Sequence, residues 1–174
     1  MKDRIKFSDE MLAAVIDGRK TQSRRLIEPQ PKVTEKRLRE LGAWQDGYTL
    51  SEQVCEAWRH GFIDDDCPYG QAGDIIPFAD KEGNIKGEIE IVDVWLQQVQ
   101  DISQEGAVAE GVAPLHGGYW KHYQPDWTQH QLSARGSFVT LWNSIYGVDA
   151  WYKNPWVWVI EFKLLDNADT AGAK

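Results

Sequence analysis

Arg19, Lys20, Thr21, Gln22, Ser23, Arg24 and Arg25 place four cations and three hydroxyl or amide side chains in consecutive positions, directly after an apolar stretch that Gly18 ends. Lys20 and Ser23 are the pair with chemical potential. A serine hydroxyl attacks a carbonyl only when a neighbour accepts its proton, and a lysine serves if burial or nearby cations loosen its own. Arg19, Arg24 and Arg25 crowd Lys20 with like charge, which lowers its pKa in the direction a base requires. A Ser-Lys pairing is a known variant of nucleophile-base catalysis. The ordinary alternative is a solvated turn. Cations behind a helix C-terminus gain about 0.3–1 kcal/mol from the macrodipole, and serine is common in turns.

The flanking segments must hold this turn in place. Ile5 and Phe7 read as a short strand, Ser8 as a helix N-cap, and Met11, Leu12, Val15 and Ile16 as one apolar helix face. Residues 19–26 are expected to leave that helix extended, until Pro29 and Pro31 interrupt. Helices are predicted over 34–41 and 51–58, and strands over 75–78, 88–99 and 156–164. In the long strand the alternation puts Ile89, Ile91, Asp93 and Trp95 on one face. A helix is predicted over 101–112 with Asp101 as its cap, and another around Phe138, Leu141, Trp142 and Ile145, closed by Gly147. Residues 113–135 read as an irregular aromatic loop. Strands mixed with short helices and many turns predict an α+β fold, a small mixed β-barrel with helices packed outside. Residues 1–165 are expected to form one domain with inserted loops near 43–68 and 113–135, and 166–174 a disordered tail.

Composition narrows the partners. The 174 residues carry a net charge of −8, but residues 1–40 hold 11 Lys or Arg against 7 Asp or Glu, and the remainder 8 against 20. An acidic body repels long duplex nucleic acid, whose affinity comes largely from phosphate neutralisation. It leaves room for a nucleoside or a short single strand at a local basic site. The two cysteines lack zinc-ligand spacing, and no apolar stretch approaches the ~20 residues of a membrane span, so a cytoplasmic protein without membrane contact is expected. His116, His122 and His130 share the aromatic loop, but spacings of six and eight fit no zinc arrangement. No metal or cofactor is expected.

Gly18-Arg19-Lys20-Thr21-Gln22-Ser23-Arg24-Arg25 resembles the Gly-x-Lys-x-x-[Thr/Ser]-x-Arg signature of ASCH domains, in the PUA-like superfamily. Gly73-Asp74-Ile75-Ile76 resembles the family's glycine-aspartate-strand element, and Asp101 through Gly111 its glutamate-bearing helix. Phe138, Leu141, Trp142 and Ile145, with the closing run Pro155 to Phe162, resemble phage- and prophage-type members. Two departures stand out: Ser23 replaces the commoner threonine, and Ile75-Ile76-Pro77-Phe78 replaces a strand that usually bears tryptophan and arginine.

Some ASCH proteins are similar to amidohydrolases that deacylate N(4)-acetylcytidine. That resemblance implies Lys20, Ser23 and Glu110 as catalytic residues and Arg25 as the supporting cation. Arg24, Gly18 and Trp120 are expected to help bind substrate. Trp95, Tyr119 and Trp127 are further candidates to stack on a base, a contact worth about 1–3 kcal/mol. The competing expectations are an RNA or single-stranded DNA binding module and a nuclease, each using the same basic cluster.

Overall fold

The computed structural model describes residues 4–63, 65–125 and 129–165; Trp127, Asp64 and the tail expected from residue 166 lie outside them. Five strands, β1 (Ile5–Lys6), β2 (Gln22–Leu26), β3 (Ile75–Ala79), β4 (Ile85–Gln98) and β5 (Trp156–Leu164), form one sheet in the order β1-β3-β4-β5-β2. β1 runs parallel to β3 and every other pairing is antiparallel. Helices α1 (Asp9–Ile16), α2 (Glu35–Glu40), α3 (Leu50–Arg59), α4 (Gln104–Ala109) and α5 (Ala134–Tyr146) pack outside it. The architecture is α+β, a mixed half-barrel, as expected. No helix among the described residues is long and apolar enough to cross a membrane.

The two edge strands decide where a site can form. β1 and β2 are at opposite ends of the strand order, yet Arg25 on β2 donates Nη2–H to the carbonyl of Lys6 on β1 at 2.8 Å. The sheet therefore curls until its edges lie one side chain apart. Edge backbone left unpaired by the sheet is satisfied there by side chains.

A bulge changes the reading of β4. Its register with β5 shifts between Ile91 and Asp93. Ile89 and Ile91 are buried before the shift, and Val94 and Leu96 after it. The expectation that Asp93 and Trp95 share the face of Ile89 and Ile91 is thus overturned, because one extra residue exchanges the two faces. Val92 sits exposed at the change.

Two helix boundaries also differ. α4 starts late because Ser103, not Asp101, caps it: Ser103 Oγ accepts from the Gly106 N–H at 2.9 Å. Asp101 lies in a 3₁₀ turn and receives the Ser51 hydroxyl instead. α4 ends at Ala109, which makes Glu110 its C-cap and not part of a longer helix to 112. α5 begins at Ala134 behind a Ser133 cap, taking the last residues from the expected loop.

Candidate active site

The chain between α1 and β2 is tied at both ends. Asp17 caps α1 and Gly18 turns the backbone with φ +81°, a conformation that glycine adopts without strain. The Arg19 and Lys20 amides then return to the Ala14 carbonyl at 2.9 and 3.0 Å, while the Thr21 amide donates to the Ala109 carbonyl at 2.8 Å. This last bond lays the turn against the C-terminal end of α4. Thus two segments ninety residues apart in sequence meet through their backbones before any side chain is considered.

Lys20 Nζ donates to the Glu110 backbone carbonyl at 2.7 Å and to Glu110 Oε1 at 3.0 Å. The other carboxylate oxygen, Oε2, takes Arg24 Nη1–H at 3.1 Å. Arg24 is further fixed by Gln97 Oε1, 3.0 Å from Nε, and Gln22 Oε1, 3.1 Å from Nη1. Lys20, Ser23, Arg24 and Glu110 expose only 4%, 3%, 6% and 4% of their surface. One buried carboxylate therefore faces two buried basic groups. Such an arrangement is costly unless its hydrogen bonds are satisfied, and here they are.

Burial pushes the Lys20 ammonium below the usual lysine value of 10.5. The Glu110 carboxylate pulls the other way without restoring it, and Arg25 and Arg24 add to the lowering. Burial lowers Arg24 as well, against the pull of Glu110, but a guanidinium keeps its proton regardless. Lys20 is the member that can give one up. A neutral amine has two N–H bonds and one lone pair, and Glu110 supplies two acceptors. The lone pair is then left to accept a proton.

Ser23 and Arg25 share the other face of β2, since side chains two apart point the same way. Ser23 Oγ accepts Arg25 Nε–H at 2.8 Å. The expected pairing of Lys20 with Ser23 is therefore not a direct hydrogen bond in this structure. The two halves are joined through Phe7, whose ring lies 5.8 Å from Lys20 Nζ and 5.4 Å from Arg25 Cζ. Arg25 also stands 5.8 Å from the ring of Tyr69, and it is half-buried, the part of this set that solvent touches.

Of the residues expected at the site, Lys20, Arg24 and Glu110 thus form one bonded cluster, and Ser23 and Arg25 form a second pair that Phe7 links to it. Gly18 acts as the stop of α1 and meets no atom within 4 Å of where a Cβ would lie. Trp120 is held by backbone bridges to Pro114 and Gln131 and packs on the core. No hydrogen bond, ion pair or ring contact joins it to the cluster among the described residues. Tyr119 lies against His130, with ring centroids 5.8 Å apart, and Trp95 lines a cavity of about 990 Å³ between α3 and β4. That cavity touches the cluster only from behind, through Gln97.

Two glycines, Gly106 and Gly111, have a part in the site that the sequence did not indicate. A Cβ on Gly106 would stand 2.9 Å from Arg24 Nη2, and one on Gly111 would stand 3.0 Å from Lys20 Cβ and 3.2 Å from Ala14 Cβ. Glycine inside or just after a short helix is the available signal of close approach. Gly111 also has φ +95°. Gly111→Ala is expected to cost about 1–3 kcal/mol in chemical denaturation, from backbone strain together with the clash. A variant as stable as the parent would show that Lys20 and α4 approach less closely than this.

No protein-family model matches the sequence, and no curated protein matches it. Among solved structures the chain is similar to a DUF984-family protein from Enterococcus faecalis V583, at 13% identity and a TM-score of 0.46, over 95% of this chain and 81% of that one. It is also similar to an ASCH domain from Lactobacillus crispatus JV V101, at 14% identity and a TM-score of 0.41, over 94% of this chain and 80% of that one.

Proposed function

We propose that the chain hydrolyses the amide of an N(4)-acylated cytidine or a closely related modified nucleoside. The observation that carries this reading is the buried set in which Glu110 takes both N–H bonds of Lys20 while Arg24 anchors its other oxygen. It makes a lysine with a loosened proton, linked through the Phe7 ring to the Arg25 guanidinium that donates to the Ser23 hydroxyl oxygen.

In this mechanism substrate binding brings Lys20 Nζ within reach of Ser23 Oγ, and the neutral amine takes the Ser23 proton as Oγ bonds to the acyl carbon. The carbonyl π pair moves to oxygen, and the positive charge of Arg25 offsets the resulting oxyanion. Collapse of the intermediate breaks the C–N bond, and the Lys20 ammonium returns its proton to the departing N(4) amine. Water, deprotonated by Lys20, then attacks the Ser23 ester; the carboxylic acid is released as the Lys20 ammonium returns the proton to the departing Ser23 Oγ. Glu110 orients the amine throughout and Arg24 orients Glu110.

The alternative of a polymer-binding module needs Lys20, Arg24 and Arg25 free for phosphates. Two of the three are buried against Glu110, and residues 41–174 carry 20 acidic side chains against 8 basic ones. The test is a panel of acylated nucleosides run beside a labelled single strand. Turnover of N(4)-acetylcytidine to acetate and cytidine is expected, with weak oligonucleotide binding. Absence of turnover at high protein concentration, together with tight binding that collapses with salt, would select the binding module instead.

A further inference from the structure

A second, smaller cavity of about 340 Å³ opens where β2 ends. Leu26, Ile27 and Pro29 form one wall directly downstream of Ser23 and Arg25, and Trp142 and Tyr146 from α5 form the facing wall. Its size lies at the lower end of small-molecule sites, which run from about 300 to 1,000 Å³.

The wall on the β2 side is rigid. Gln30 Nε2 donates to the Ile27 and Trp156 carbonyls at 2.7 and 2.8 Å, and Gln30 Oε1 accepts the Trp156 amide at 2.6 Å. On the opposite side Tyr146 packs on Trp142, with ring centroids 4.4 Å apart, yet remains 42% exposed. A ring held by an aromatic neighbour and still partly exposed is suited to stacking. Charged groups border the cavity as well: Glu28 and Lys153 line it, and burial raises the Tyr146 hydroxyl above the usual tyrosine pKa. The indole N–H of Trp142 is the buried side-chain polar atom without a hydrogen-bond partner among the described residues. An unsatisfied buried donor in a cavity wall calls for an explanation, and an acceptor on a bound molecule is one.

We infer that this cavity receives the pyrimidine nucleoside portion of the substrate, with Tyr146 as the positioning ring on which the base stacks and Trp142 as its brace. This assignment rests on the hydrolase reading for its choice of occupant. A base stacked here lies beside the chain that continues β2 from Ser23 and Arg25 into Leu26 and Ile27. In this assignment α5 supplies the aromatic platform.

Tyr146→Ala and Tyr146→Phe in the full chain, both checked for unchanged melting, separate the outcomes. Kinetics with N(4)-acetylcytidine and calorimetric titration with cytidine are the two readouts. Tyr146→Ala is expected to raise KM and the cytidine Kd about ten- to hundred-fold, with kcat within about three-fold. Tyr146→Phe, which keeps the ring, is expected to restore both to near the parent values. A folded Tyr146→Ala protein with unchanged KM and Kd overturns the assignment, and so does one in which kcat falls while KM and Kd stay constant. If the parent binds cytidine and Tyr146→Ala loses it, yet no acylated nucleoside turns over, the subsite stands and the hydrolase reading fails. If the parent neither binds cytidine nor turns over substrate, both fall.

Discussion

Lys20→Ala and Ser23→Ala are each expected to lower kcat/KM for N(4)-acetylcytidine by about 10³-fold, within the ~10²–10⁴ range that a positioned acid-base group supplies. Combining them should cost little more than either alone, because a base without its nucleophile has nothing left to do. Lys20→Arg should be no better than Lys20→Ala, since a guanidinium keeps its charge but cannot release its proton. The pH profile makes this sharper. The working form of Lys20 is the neutral amine, and burial lowers its pKa below 10.5, so kcat/KM should climb about tenfold per pH unit until it levels near the folded pKa. A rate that falls as pH rises through the neutral and mildly alkaline range would exclude Lys20 as the base.

The same depressed pKa has a consequence for stability. In the unfolded chain the lysine returns to its ordinary value, so between the folded pKa and 10.5 the unfolded state binds more protons than the folded one. Stability contributed through Lys20 therefore increases with pH across that window. Below the folded pKa the full penalty of a buried ammonium is present. Denaturant midpoints of the parent and of Lys20→Met, compared over this range, isolate the contribution.

Glu110→Ala should be the most destabilising exchange in the cluster. It removes the carboxylate shared by Lys20 and Arg24, leaving the Arg24 guanidinium buried with only neutral acceptors on Gln97 and Gln22. Breaking a buried ion pair from one side costs about 3–5 kcal/mol, which for a chain of this length lowers Tm by roughly 10 °C. Glu110→Gln keeps the volume and one acceptor and should fall between Ala and the parent, while losing the orientation of the Lys20 amine and so most of the activity. If thermal denaturation of Glu110→Ala matches the parent, the carboxylate is not the buried partner described above, and the placement of α4 against β2 is wrong with it.

Local signals reached far in this chain. Ser8 as a cap, the 3.6-residue spacing of Met11, Leu12 and Val15, and Gly18 at the exit were enough to place α1 and the extended segment after it. These features work because caps, periodicity and turn glycines act within a few residues. The long strand was legible as a strand, but its faces were not. The bulge between Ile91 and Asp93 is set by pairing with β5, where their partners are Phe162 and Glu161, and one inserted residue exchanges every side chain beyond it.

The candidate site divides in the same way. Residue types and the order Lys20, Ser23, Arg25 stand in the chain itself, because they occupy one turn and one strand. Glu110 could be singled out only through resemblance, since nothing adjacent in sequence marks it. Folding alone brings it to Lys20, through the backbone bond from Thr21 to Ala109 and the room left by Gly106 and Gly111. The Ser23 partner was also a tertiary outcome: Arg25 reaches across the curled sheet to Lys6 and on the way occupies the serine oxygen. Which groups carry charge in this protein was therefore written in its sequence. Which of them are stripped of water, and against which partner, was decided by the curl of the sheet, because burial depends on distant segments arriving together.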